Sequence, residues 1–465
     1  MESLVAALPA GGAAAAAAAA AAAVGGLVAA AALAGKAGLA GPKKHLNAPP
    51  AVPGLPMIGN LHQLKEKKPH QTFTKWAEIY GPIYTIRTGA SSVVVLNSAQ
   101  VAKEAMIAKF SSISTRKLSK ALSVLTHDKT MVATSDYGDF HKMVKRYVMT
   151  SMLGTSGQKQ FRDTRNMMVD NMLNTFHTLL TDDPNSPLNF REVFKNELFR
   201  LSLIQALGED VSSVYVEEYG KVISKEEIYQ ATVADMMMCA IETRISYLDF
   251  LLAENTLTDE QLLMLVWEAV IEAADTTLVT TEWAMYEIAK HPEKQEYLYQ
   301  EIQKVCGNKT VTEDHLPELP YLNAVFHETL RRHSPVPLVP PRFVHENTNL
   351  AGYEVLAGTE MIINLYGCNM NKSDWADPEE WKPERFLDGR FEAADLYKTM
   401  AFGAGRRACA GSMQAVNISC TAIARFVQEF AWRLKEGDED KADTIQLTTN
   451  RLYPLHVYLT PRGRK

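Results

Sequence analysis

Apolar and polar positions recur along this chain with two periods, and the helical one dominates. From about residue 61 onward, a spacing of three to four predicts helix after helix, broken by short stretches of strand-type alternation. "PIYTIRTGASSVVVLNS" at 82–98 predicts two short strands around a Gly-Ala-Ser-Ser turn. "NLAGYEVLAGTEMIINLYG" at 349–367 predicts a second hairpin, and "YPLHVYLTP" at 453–461 a terminal strand. Neither an internal repeat nor a second linker is visible. The pattern predicts one mainly α domain with small β-sheets over 61–465.

The longest helical run is "TDEQLLMLVWEAVIEAADTTLVTTEWAMYEIAKHP". Thr258 and Gln261 form a capping box at its start, and Pro292 ends it. Such a helix spans roughly 50 Å, the width of a whole domain. Apolar residues occupy nearly every face, so it is expected to be central and buried. Glu268, Glu272 and Asp275 near its middle argue against a membrane span. Each acid is either satisfied by a neighbouring hydrogen bond or part of a polar island, "EAADTT", where a reaction needs protons.

The N-terminus has a different pattern. Residues 3–35 carry no charge and include unbroken alanine from Ala13 to Ala23, and the whole stretch is long enough for one spanning helix. A disordered alanine tract is the other reading. Lys36, Lys43 and Lys44 follow, which places the larger part of the chain on the cytosolic side of a single-pass anchor. Residues 36–60 are basic and then proline-rich, and "NAPPAVPGLPMIGN" at 47–60 predicts a stiff extended connector.

Composition narrows the function classes. The 465 residues are 46% apolar and 22% charged, with a net charge of −6 and no long run of Lys or Arg, which speaks against nucleic acid as a partner. Five scattered cysteines (Cys239, Cys306, Cys368, Cys409 and Cys420) suit reduced thiols rather than a disulfide framework. "HETLR" at 327–331 lacks the second His of a zinc protease, no phosphate loop is present, and no CxxC occurs. "FGAGRRACAG" at 402–411 is the unusual stretch. Its Cys409 precedes a helical pattern, whose N-terminus favours an anionic sulfur, and it has no His base nearby in sequence. What remains is thiolate ligation of iron. Gly403, Gly405 and Gly411 let backbone approach a flat macrocycle, and Arg407 can pair with a carboxylate on its edge.

These residues resemble the haem loop of the cytochrome P450 family, F-x-x-G-x-R-x-C-x-G. Phe402, Gly405, Arg407, Cys409 and Gly411 fill its fixed positions. "ETLR" supplies the family's E-x-x-R and "PERF" its completing arginine, so that Glu328, Arg331 and Arg385 are expected to form a buried charge network. The resemblance runs from about residue 47 to the C-terminus. It implies a cytochrome P450 fold and haem b with iron held by Cys409. It further implies O2 as co-substrate and electrons from NADPH–cytochrome P450 reductase, which the basic group Lys142, Lys145, Arg146 and Arg406 can meet or which merely solvates. Asp275 and Thr276 match the family's proton-guiding pair.

Three departures stand out. Ala273 and Glu272 replace the usual Gly and Ala or Gly ahead of the pair, adding a methyl at the oxygen groove and a second acid. His141 and Lys145 stand where the family has Trp and Arg for a haem propionate, with Arg342 a further candidate. The interval from His141 to Thr276 is several dozen positions short, with the shortening placed between about 200 and 257.

"EAADTTLVTTEWAMYEIAKHP" and "HSPVPLVPPR" are most similar to the plant ent-kaurene oxidases. That similarity implies an apolar diterpene oxidised from methyl to carboxylic acid, in gibberellin biosynthesis, with Ala273, Val336, Leu338 and Val339 lining the pocket. A diterpene hydroxylase of specialised metabolism and a truncated, non-catalytic variant are the alternatives. The implied membrane is the endoplasmic reticulum or the plastid outer envelope.

Overall fold

A single unbroken helix, Asp259–Lys290, organises the molecule. Thr258 Oγ1 accepts from Gln261 N, and the Gln261 side chain caps the Thr258 amide in return, so the start lies where the sequence puts it. In this computed structural model the described residues are 47–64, 68–208, 246–389, 395, 397, 399–437, 448–449 and 451–463, with the backbone alone of 213–216 and 221–224. The expected anchor over 3–35, with Lys36, Lys43 and Lys44, lies outside them. Among the described residues, no helix is long and apolar enough to cross a membrane. Internal packing separates residues 1–48 from 49–465, and all that follows concerns the second unit.

The C-terminal half of the central helix is buried on every side. It packs against the helices Phe190–Leu207, Ser412–Glu429 and Pro320–Arg332. Where these meet, Phe176 and Phe190 stand against Phe426 and Trp432 with ring centroids 5.3–5.9 Å apart. Edge and tilted contacts of this kind add about 1 kcal/mol per pair beyond area burial.

The main sheet has five strands, Ile83–Thr88, Ser91–Leu96, Glu360–Ile363, Arg342–Phe343 and Thr115–Arg116, in that order. The first turn is tighter than the sequence suggests: Ser91 and Ser92 already pair with Thr88 and Arg87. The region 349–367 is not one hairpin. Thr348–Leu350 pairs with Tyr353–Val355, but Glu360–Ile363 leaves to lie parallel to Ser91–Leu96, and Leu365–Asn369 is helical. The reason is burial: Met361 and Ile363 are inside the core of the larger sheet, a better place for an apolar strand than a two-stranded ribbon. Residues 49–60 lie against the body: Val52 N donates to Thr85 O at 2.9 Å, and Asn60 bridges Pro53 O and Arg87 N.

Candidate functional site

The loop before the helix Ser412–Glu429 closes on itself. Cys409 N donates to Phe402 O at 2.9 Å, Gly403 N to Met400 O at 2.9 Å, and Ala408 N to Gly405 O at 3.0 Å. Gly405 sits at φ +71, and a Cβ there would lie 2.7 Å from the Met106 carbonyl oxygen, so both conformation and close approach require glycine. Gly411 has ordinary backbone angles, and its N–H points at the Cys409 sulfur.

Cys409 lies three residues ahead of the helix rather than on its first turn. Its side chain has accessible surface although protein surrounds it, which means that it faces a cleft within the body. Burial, with the Glu272 charge behind it, pushes the thiol up to about 11, outweighing the Gly411 N–H and Lys145. The helix end therefore does not by itself make the thiolate expected from sequence. A metal cation facing the sulfur would, since coordination deprotonates a thiol outright.

Four basic side chains converge beside this loop. Arg116 and Arg342 are direct partners on adjacent antiparallel strands, both buried. Like charges in that register repel, which favours an anion near their ends, and Glu272 and Asp136 already offset part of the Arg116 charge. Burial and the neighbouring guanidiniums lower Arg116 to about 9 and Arg342 to about 10. Arg116 donates to Ala133 O and Pro340 O, each at 3.0 Å. Arg407 Nη2 donates to Ser135 O at 2.6 Å, and Ser135 Oγ lies 2.9 Å from His141 Nδ1. Yet Arg342 Nε and Nη1, Arg407 Nε and His141 Nε2 are buried with no hydrogen-bond partner among the described residues. Such donors are rarely left bare, and here they mark an acceptor site. Lys145 is used otherwise: its ammonium donates to the carbonyls of Arg406 at 2.8 Å and Ala408 at 3.4 Å, tying its helix to the loop. Sequence reasoning missed Arg116, which sits in a two-residue strand with no motif around it; only its pairing with Arg342 reveals it.

The acids of the central helix separate into three environments. Glu268 is buried and accepts from Val132 N and Ala133 N, both at 2.7 Å. It is satisfied by backbone and fixes the loop that carries Ser135. Glu272 faces the cleft, acting electrostatically on Cys409 and Arg116. Asp275 accepts from Thr448 Oγ1 at 2.5 Å and lies within electrostatic reach of Lys195. Thr276 Oγ1 donates to Glu272 O at 3.2 Å.

Glu328 and Arg331, fully buried, form two hydrogen bonds of 2.7 Å, and Arg385 Nε joins Glu328 at 3.3 Å. Arg331 also donates to Asn369 O at 3.1 Å, and Asn369 Oδ1 accepts from Met400 N at 3.0 Å. The charge network thus reaches the loop of Cys409 through one asparagine. Of the apolar candidates, Val339 is packed into the core of the five-stranded sheet and Leu338 lies at the edge of a neighbouring apolar cluster. Ala273 and Val336 are half-buried.

Comparison with known proteins agrees with this geometry. The cytochrome P450 family model matches residues 49–194 and 220–455, and the chain belongs to that family. It is a cytochrome P450 monooxygenase. It is 72% identical to ent-kaurene oxidase 2 of Oryza sativa subsp. japonica over 481 positions, covering 93% of this chain and 95% of the relative. It is 62% identical to the ent-sandaracopimaradiene 3-hydroxylase of the same rice, covering 90% of this chain and 92% of the relative. A zebrafish cytochrome P450 solved with progesterone superposes with a TM-score of 0.72 at 21% identity, over 85% of this chain and 99% of that one. The 481-position alignment is longer than this 465-residue chain, so the rice relative holds residues that this chain lacks.

The family's prosthetic group is a haem whose iron is held by a cysteine thiolate, and the residues present fit it. Cys409 would supply the sulfur. The unpaired donors of Arg342, Arg407 and His141, with Arg116 behind them, suit the carboxylates on a macrocycle's edge.

Proposed function

We propose that the chain oxidises the methyl group of ent-kaurene to a carboxylic acid, a step of gibberellin biosynthesis. The observation that carries a haem-dependent oxidation is the cluster of buried, unpaired donors of Arg342, Arg407 and His141 beside the Cys409 loop. The relatives at 72% and 51% identity that are named ent-kaurene oxidases support the choice of substrate. Haem b bound there would supply oxygen activation, with Cys409 as its electron-donating ligand.

The chain's own residues have separate tasks. Arg342, Arg407 and His141 hold the group's carboxylates, Lys145 holds the loop, and the Glu328–Arg331–Arg385 network keeps the loop's support in place. Thr276 Oγ1 passes protons drawn from Asp275, and Glu272 holds a further proton on the cleft wall, where burial raises its carboxyl. Ala273 and Val336, half-buried and uncharged, face the hydrocarbon. Electrons come from NADPH–cytochrome P450 reductase. Residues 3–35 anchor the chain once in the endoplasmic reticulum or the plastid outer envelope, with the body cytosolic.

The 62% identity to a diterpene 3-hydroxylase supports a second reading, oxidation of another diterpene. Apolar pockets distinguish such hydrocarbons by only about 1–3 kcal/mol. Incubating membranes carrying the chain and a reductase with ent-kaurene and with ent-sandaracopimaradiene separates the two. Ent-kaurenoic acid supports the proposal; a hydroxylated product from the second hydrocarbon alone contradicts it. The expected shortening between about 200 and 257, together with the extra residues of the rice relative, supports a third reading in which the chain is a truncated, non-catalytic variant.

A further inference from the structure

Asp275 is expected to guide protons, yet among the described residues its hydrogen bond comes from a distant part of the chain. Thr448, buried near the C-terminus, donates its hydroxyl to Asp275 Oδ2 at 2.5 Å. A hydroxyl donor on one carboxylate oxygen restricts the rotamers open to Asp275. The neighbouring residue is fixed on two sides. Thr449 N donates to Pro335 O at 2.8 Å, and Thr449 Oγ1 donates to Ser334 O at 3.0 Å. Its carbonyl accepts from Trp283 Nε1 at 3.1 Å, two turns further along the central helix than Asp275.

Two consecutive threonines therefore link three things. They bind the central helix at Asp275 and again at Trp283, and they bind the turn Ser334–Pro335. That turn leads directly into Val336, the half-buried residue expected to meet the hydrocarbon, and then to Arg342. Directional hydrogen bonds carry the geometry of this path.

We propose that Thr448 is a positioning residue for the proton-guiding carboxylate, coupling the substrate-facing turn at Ser334–Val336 to the orientation of Asp275. This rests on the role given to Asp275 above. When substrate presses on Val336, the displacement passes through Pro335 and Thr449 to Thr448, and the hydroxyl holds Asp275 in the rotamer in which it can pass a proton on.

The test uses the full-length holoenzyme with its reductase and three variants, Thr448→Val, Thr448→Ser and Asp275→Asn. Valine keeps the shape and removes the donor; serine keeps the donor. Thr448→Val is expected to retain the thiolate carbon monoxide spectrum and to lose roughly five- to tenfold in product formed per NADPH consumed. Thr448→Ser restores that ratio to within about twofold, and Thr448→Val with Asp275→Asn is no worse than Asp275→Asn alone. Amide exchange at Thr449, whose N–H is held by Pro335 O, stays protected in Thr448→Val, showing that the loop remains in place. A Thr448→Val enzyme coupled like the wild type beside an uncoupled Asp275→Asn overturns the proposal and leaves the role of Asp275 standing. If Asp275→Asn is itself fully coupled, that role fails and the proposal with it. Loss of Thr449 protection in Thr448→Val makes the residue structural and also overturns it.

Discussion

At Arg116 and Arg342, two guanidiniums are register partners at a sheet edge inside the protein, an arrangement that a bound anion would make more favourable. Replacing Arg342 by Ala removes one of the repelling charges and part of the anion site together. The expected outcome is a protein that folds but retains haem roughly fivefold less well, read as haem per protein after gel filtration. His70 shows the same physics with one charge. Burial, then Lys68, lowers it from 6.5 to about 4. The unfolded chain therefore binds a proton that the folded one refuses between those values, so stability falls as pH drops from 6.5 towards 4. The loss is on the order of 3 kcal/mol from this residue. Denaturant midpoints across that window should flatten in His70→Asn; an unchanged slope would remove His70 from the account.

Among the elements, the central helix was the most legible, because a capping box, an apolar surround and a closing proline all agree. Thr258→Ala is expected to lose about 1 kcal/mol through the cap, seen as a modest drop in melting temperature with the carbon monoxide spectrum intact. The E-x-x-R helix was legible too, and its prediction is harsher. Glu328→Gln leaves Arg331 buried with reduced compensation and should lose about 3–5 kcal/mol, giving little soluble haem protein. A Glu328→Gln enzyme of wild-type stability would contradict the network. The region 349–367 was legible as strands but not as partners, since pairing depends on where Met361 and Ile363 find a core, which lies far away in sequence. Thr448 was invisible for the same reason: its partner is 173 positions away.

For the whole molecule, the motifs around Cys409 were legible because one loop must satisfy a fixed sulfur, a tight glycine approach and an anion donor at once. The rest of the anion site was not, because Arg116 enters through a two-residue strand and Lys145 turns to loop carbonyls instead. The most direct measurement is the carbon monoxide difference spectrum of the reduced full-length protein in membranes, beside Cys409→Ala. A thiolate-type Soret band in the native chain and none in the variant is the predicted result. A band that survives in Cys409→Ala, or none in the native chain when reductant and haem are in excess, would contradict the claim that this loop holds a haem iron through Cys409.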